Sequence, residues 1–305
     1  MNLLKKSFLV VAGPTGSGKS ALALALAQEL GGEIIGCDSV QLYRGFDIGS
    51  AKPTLAERSI VRHHLIDCLT WQMDYDAAQY ARDALVKLAE VRQRGQLPIV
   101  VGGTGLYLRA LLGQGWHADL PQDEGLRARL AAAPLDDSYE QLRRLDPQRA
   151  AQIHPHDGYR VRRSLELVTL LGRPLHEAGL KPPKAPQDHA AFVMVLAPER
   201  TTLHAAIAAR TQAMLSGGLV DEVRGLLAQG VAPTAKPMQS IGYKQALAHL
   251  GGELDDRELP GAIMAATRQY AKRQSTWFRG VVADERLVGG GSVQGVAAGL
   301  RAVFG

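Results

Sequence analysis

Unbroken apolar runs and helix-period segments alternate along this chain of 305 residues. Phe8–Ala12, Glu33–Cys37, Leu97–Val101 and Ala191–Leu196 are short and almost wholly apolar, the pattern of parallel strands buried on both faces, and His63–Asp67 reads as a further short strand. After the first run come the strong helix formers Ala21–Ala27, which Gly31 and Gly32 bring to a stop. Asp74 is the expected cap of a helix from about Tyr75 to Arg94, with Ala78, Ala81, Leu85, Leu88 and Val91 at helical spacing and Gly95 at its end. Further helices are predicted over about Thr201–Ser216, Leu219–Ala228 and Arg257–Arg279, with a short structural one after Gly289–Gly291. Between Leu120 and Pro186 the β-like runs disappear. Short helices broken at Pro121, Pro134, Pro147, Pro155 and Pro174 replace them, and Lys181–Pro186 reads as a polyproline-like linker. The pattern predicts an α/β core, a parallel sheet flanked by helices built from residues 1–113 and 190–305, with an inserted all-helical domain over 114–189.

Composition adds little to this picture. At 46% apolar the chain can bury a large core, and with 5% aromatics that core should be aliphatic. A net charge of +5 permits an anionic partner without demanding one. Cys37 and Cys68 lack metal-type spacing, and neither a signal peptide nor a bilayer-length apolar run is present. A cytoplasmic protein without disulfides, zinc or membrane contact is expected.

Chemistry enters at Gly13-Pro14-Thr15-Gly16-Ser17-Gly18-Lys19-Ser20, which fits the phosphate-binding pattern G-x-x-x-x-G-K-[ST] between a predicted strand and a predicted helix. Loop amides and the positive helix end converge on an anion, Lys19 adds a point charge, and the Ser20 hydroxyl can take Mg²⁺. The fold expected is therefore P-loop NTPase-like, with a bound di- or triphosphate and ATP as the default nucleotide. Ligands sit at the carboxyl ends of parallel strands. Asp38, Ser39, Val40 and Gln41, which close the second run, should thus lie beside the phosphate loop, with a turn or cap role the lesser alternative for Asp38. The fourth run opens into Gly102-Gly103-Thr104-Gly105, a second close backbone approach, with Thr104 facing the loop or serving as a helix cap. An NTPase would usually end such a strand in an acid that holds Mg²⁺, whereas here it ends in glycine. His63 and His64 are expected to be structural, since neighbours on a strand point to opposite faces and cannot easily share a metal ion. Arginines crowd the insertion, including Arg127, Arg160, Arg162 and Arg163, with Arg160 and Arg163 on one helical face; a solvated basic face is the plainer alternative. In Lys272-Arg273-Gln274-Ser275-Thr276-Trp277-Phe278-Arg279, charges and aromatics interleave as on a surface that takes phosphates and a base, or as on an amphipathic helix with Trp277 and Phe278 in the core.

Together these residues resemble the bacterial tRNA dimethylallyltransferases, which prenylate the adenine immediately 3′ of the anticodon. The phosphate loop, Asp38–Gln41, His63–Asp67, Gly102–Tyr107, Gln239-Ser240-Ile241-Gly242-Tyr243-Lys244 and Lys272–Arg279 match that family's motifs in order and approximate spacing. The resemblance implies that the loop holds the diphosphate of dimethylallyl diphosphate, with Lys19, Mg²⁺ and the Thr104 hydroxyl stabilising its departure. Asp38 is then the general base on the adenine amine and Gln41 a reader of the adenine edge. It further implies that the segments Tyr159 to Arg163 (Val161 among them), Gln239 to Lys244 and Lys272 to Arg279 contact the tRNA anticodon stem-loop, and that Arg210 and Arg224 resemble family arginines which could reach the diphosphate. A monomer is expected. The rivals are a P-loop small-molecule kinase, a prenyltransferase of free nucleotides, and a noncatalytic RNA-binding protein; the glycine-ended strand and the basic insertion weigh against the first two, the phosphate loop against the third.

Overall fold

In the computed structural model, which describes residues 6–113, 120–179, 190–288 and 292–304, six strands pair in parallel. They are β1 (Phe8–Ala12), β2 (Gly32–Cys37), β3 (His63–His64), β4 (Leu97–Gly102), β5 (Ala191–Leu196) and β6 (Glu285–Leu287), in the order β3-β2-β4-β1-β5-β6. Val10 pairs with Val100 on one side and Val193 on the other, so the most apolar strands hold the centre. The strands beside β1, and so beside the phosphate loop, are β4 and β5. Asp38, expected on the neighbouring strand, follows β2, one place farther out.

One sheet face packs on α1 (Lys19–Leu30) and α13 (Val293–Phe304). Leu9, Val11, Ile34, Ile99 and Met194 meet Ala23, Leu26, Val296 and Leu300 there. This cluster is aliphatic, as the composition implies. Elsewhere that expectation fails, because Tyr43, Tyr80 and Tyr243 are among the largest fully buried side chains. Tyr80 stacks on Tyr107, centroids 4.5 Å apart, joining α3 (Ala77–Gln93) to α4 (Gly105–Leu111).

The cap of α3 is Asp76, not Asp74. The Asp76 carboxylate accepts from Gln79 N at 2.8 Å while Gln79 Oε1 accepts from Asp76 N at 2.8 Å, a reciprocal box that Asp74 cannot make with Ala77 three residues on. The third strand is also shorter than the apolar run suggested. Leu65 and Asp67 both take φ of 55°, a left-handed conformation that ends the ladder after His64. His64 is structural: its Nε2 lies 2.6 Å from Glu33 Oε2, and Arg94 donates to both Glu33 oxygens at 2.8 Å. The Arg94 hydrogen bonds hold the Glu33 carboxyl down to about 2. Two elements had no apolar signature to announce them, the edge strand β6 and α2 (Leu55–Ile60), which starts at a Thr54–Glu57 capping box.

The chain folds as two compact units, residues 1–112 with 185–305, and residues 113–184. The first also contains α9 (Arg200–Ser216), α10 (Leu219–Ala228), α11 (Tyr243–Leu250) and α12 (Glu258–Arg279), with α12 packed on α9. The second contains four helices among its described residues, α5 (Glu124–Ala132), α6 (Leu135–Leu145), α7 (Pro147–Ala151) and α8 (Gly158–Leu171). Pro134 caps α6, and Pro147 opens α7 at the first turn, where a missing N–H costs nothing. Leu142, Ala150, Ile153, Val161 and Val168 form the larger core of this unit. The predicted linker Lys181–Pro186 and the tail Gly289–Gly291 lie outside the described residues.

Candidate functional site

The phosphate loop joins β1 to α1 as the sequence pattern requires. Gly18 sits at φ 82°, ψ 6°, and a Cβ there would touch nothing, so glycine is needed for its left-handed backbone and not for space. Lys19 Nζ lies 3.3 Å from the Pro14 carbonyl, folded back over the loop. Burial pushes the Lys19 ammonium down to about 8, with Arg210 pressing the same way and Asp38 opposing them.

A cavity of about 370 Å³ opens beside the loop. Thr15, Lys19, Ser20, Asp38, Arg210 and Tyr270 all line it, so the loop, the end of β2, α9 and α12 converge on one space. Asp38 serves both readings offered by the sequence. Its Oδ1 accepts from Val40 N at 2.8 Å and Gln41 N at 3.3 Å, fixing a turn, and that leaves Oδ2 for other work. Gln41 spends its amide protons on the Ser50 and Ala51 carbonyls, both at 3.1 Å, so only its oxygen remains for reading a ligand. Arg210 donates to the same Ser50 carbonyl at 3.3 Å. Ser50 is held in turn: Glu222 accepts from Ile48 N at 2.8 Å, and Tyr243 Oη accepts from Gly49 N at 3.1 Å.

Thr104 begins α4 without a side-chain cap bond; its Oγ1 accepts from Ser39 N at 3.2 Å. That ties the two strand ends together and leaves its hydroxyl proton unspent. Gly102 and Gly103 line the cavity; Thr104 does not. No acid could replace Gly102, where a Cβ would sit 1.9 Å from the Cys37 carbonyl oxygen. Among the described residues no group of three or more His, Cys, Asp or Glu could hold a metal. A cation here could take the Ser20 hydroxyl from this chain and would otherwise rely on phosphate oxygens and water, a set that suits Mg²⁺.

The far wall is apolar, formed by Ile34, Gly36, Ile66 and Val101. His63 is part of this wall, with Nδ1 donating to the Val61 carbonyl at 2.7 Å, so of the two histidines it alone faces the cavity.

The residues expected to contact RNA divide by exposure. Gln239, Ser240, Ile241 and Gly242 line the cavity, but Tyr243 is buried, its hydroxyl donating to Glu222 at 2.5 Å, and only Lys244 of that pair is exposed. On α12, Lys272, Arg273, Thr276 and Arg279 are exposed and Ser275 is half-buried, whereas Gln274 and Phe278 are buried and Trp277 packs over Gly105. On α8, Tyr159 and Arg160 stand in solvent, and Val161 is fully buried. Arg163 does not share the exposed face of Arg160: it donates to the buried Glu166 at 2.6 Å and to the Pro121 carbonyl at 2.9 Å. Arg127 meets Glu166 at 2.9 Å, and Arg162 donates to the Ala133 carbonyl at 3.2 Å. Side-chain contact with RNA is thus withdrawn for Val161, Tyr243 and Phe278, which are buried and outside the cavity lining, whereas Gln274 is buried but lines the cavity. Arg224 is withdrawn as a diphosphate ligand, being exposed, paired with Asp221 and outside the cavity lining.

Sequence reasoning missed the Ser50 loop. Arg210 is marked by its residue type, a charge one position from the buried stripe Leu203, Ile207, Thr211, Met214 of α9. Ser50 carries no such sign, because its part is played by a carbonyl.

The IPP transferase family model matches residues 41–281. Over 274 residues the chain is 46% identical to a tRNA dimethylallyltransferase of Solibacter usitatus, covering 89% of each. It is 44% identical to one of Geobacter metallireducens, covering 90% of each. The fold is similar to that of the full-length tRNA isopentenylpyrophosphate transferase of Bacillus halodurans, with TM-score 0.71, 32% identity, and 98% and 97% of the two chains covered. A eukaryotic dimethylallyltransferase acting on tRNA gives TM-score 0.76 at 29% identity, over 90% of this chain and 70% of that one.

Proposed function

The chain belongs to the IPP transferase family, and from that premise we propose that it transfers a dimethylallyl group from dimethylallyl diphosphate to the N6 amine of the adenosine 3′ of a tRNA anticodon. The observation that carries this is the make-up of one cavity: Lys19 and Arg210 supply positive charge, Asp38 a carboxylate, and Ile34, Ile66 and Val101 an apolar wall for a five-carbon chain. The enzyme acts as a cytoplasmic monomer, and among the described residues no helix is long and apolar enough to cross a membrane.

The diphosphate rests on the loop amides, Lys19 and Arg210. As the allylic C–O bond breaks, its electron pair goes to the bridging oxygen. Donors that reach that oxygen stabilise the transition state more than the ground state; Lys19, which lines the cavity, is one, and the unspent Thr104 hydroxyl proton, next to the lining Gly103, is the other, reaching it as the donor binds. Mg²⁺ bound through Ser20 would neutralise charge on the same leaving group. The adenine nitrogen is a poor nucleophile because its lone pair is delocalised. Asp38 Oδ2 accepts one of its protons as the C–N bond forms, and the Gln41 oxygen accepts the other in a hydrogen bond. The adenine must leave its stack to enter the cavity, and the exposed Tyr159, Arg160, Lys272, Arg273 and Arg279 hold the anticodon loop while it does so.

Asp38→Asn keeps the turn, since its oxygen still accepts from Val40 and Gln41, but cannot take a proton. Single-turnover prenyl transfer should fall by roughly 10²–10⁴-fold with tRNA affinity unchanged. A normal single-turnover rate removes Asp38 as the base.

A further inference from the structure

Gln274 lies in a stretch of α12 whose neighbours face solvent, yet its own side chain is buried and turned toward the donor end of the site. Its Oε1 accepts from Thr15 N in the phosphate loop at 2.8 Å, and its Nε2 donates to the Gly103 carbonyl at 2.8 Å. Tyr270, one turn earlier, lines the same cavity. The neutral amide suits both partners at any pH, since one of its atoms accepts and the other donates.

The surroundings show how tightly the clasp is built. A Cβ on Gly103 would lie 2.5 Å from Gln274 Nε2, and one on Gly105 would lie 2.6 Å from the Trp277 ring. Both glycines flanking Thr104 are therefore pressed against α12, one by Gln274 and one by Trp277. The residue that precedes Thr104 and the Thr15 segment of the phosphate loop are fixed to the same side chain.

We infer that Gln274 is a positioning residue for diphosphate departure, holding the Thr15 segment of the loop and the Thr104 hydroxyl in register with each other, and not an RNA contact. This rests on the prenyl-transfer reading above. A side chain that bound RNA would act on tRNA affinity. One that spaces the two donors of the leaving group acts on donor binding and on the bond-breaking step.

Gln274→Met and Gln274→Glu separate these roles. With Met, donor affinity should weaken about tenfold and the single-turnover rate at saturating donor and tRNA should fall at least about tenfold, as expected when buried hydrogen-bonding groups lose their partner, while tRNA affinity stays within about twofold. With Glu, a protonated carboxyl can still donate to Gly103 and accept from Thr15, whereas an ionised one repels both the Gly103 carbonyl and the diphosphate. Its rate relative to wild type should therefore fall as pH rises through the carboxyl titration, a pH profile the wild type lacks. If Met prevents folding, judged by thermal melting, the Glu profile decides alone. Weakened tRNA binding with an unchanged single-turnover rate overturns the inference, as does a Glu-to-wild-type ratio that is flat with pH. A wild type that transfers nothing would break the functional reading instead, and the diphosphate affinity of Gln274→Met, measured by calorimetry, would still decide this one.

Discussion

Lys19 should take up a proton when diphosphate binds. Burial, assisted by Arg210, holds the empty-site ammonium at about 8. A lysine depressed in this way is charged below that value and neutral above it, so roughly nine in ten empty sites carry the charge at pH 7 and roughly one in ten at pH 9. A diphosphate on the loop favours the charged form and returns the group toward its ordinary value of 10.5. Between those limits donor binding draws close to one proton from buffer, and the apparent dissociation constant rises by about tenfold per pH unit. Calorimetry at pH 9 with dimethylallyl diphosphate, in two buffers of different ionisation enthalpy, counts that proton. Lys19→Met serves as the reference for every other titrating group. Equal proton uptake by wild type and Lys19→Met, with parallel pH profiles of affinity, would refute the reasoning.

Three further outcomes follow from particular residues. Arg160→Ala should weaken tRNA binding and lower the slope of log affinity against log salt by about one, whereas Arg163→Ala should destabilise the helical unit by exposing the charge of Glu166, seen as a lowered melting temperature. Glu33→Gln should lower stability at pH 7 by about 3 kcal/mol, the worth of a carboxyl held about 2.5 pKa units low. Because the folded carboxyl is depressed, that stability is present above its ordinary range and disappears as pH falls toward 2, so the two melting curves should converge in acid.

The fold was legible where burial leaves a strong trace. β1, β4 and β5 are continuous apolar runs, and α9 and α10 keep their period and glycine boundaries, so chain pattern alone locates them. Strand order was not legible in the same way. That β4 intervenes between β1 and β2 depends on which long connections cross the sheet, and no local pattern encodes it. The site was legible in its chemistry and less so in its directions. The phosphate loop and Asp38 announce themselves by residue type, but which side of α8 or α12 meets solvent is decided by packing. Arg163 reads as a surface charge until Glu166 is seen beneath it, and Gln274 reads like its exposed neighbours until Thr15 and Gly103 are brought to it. Ser50 left no trace, since any residue carries the carbonyl that Gln41 and Arg210 share.

The measurement that bears most directly on the function is an acceptor competition. Purified protein is given Mg²⁺, dimethylallyl diphosphate, and unmodified tRNA and AMP together, and the products are resolved by mass spectrometry. A prenylated adenosine in the tRNA anticodon loop, with AMP untouched, is the expected result. Prenylated AMP beside unmodified tRNA would contradict it.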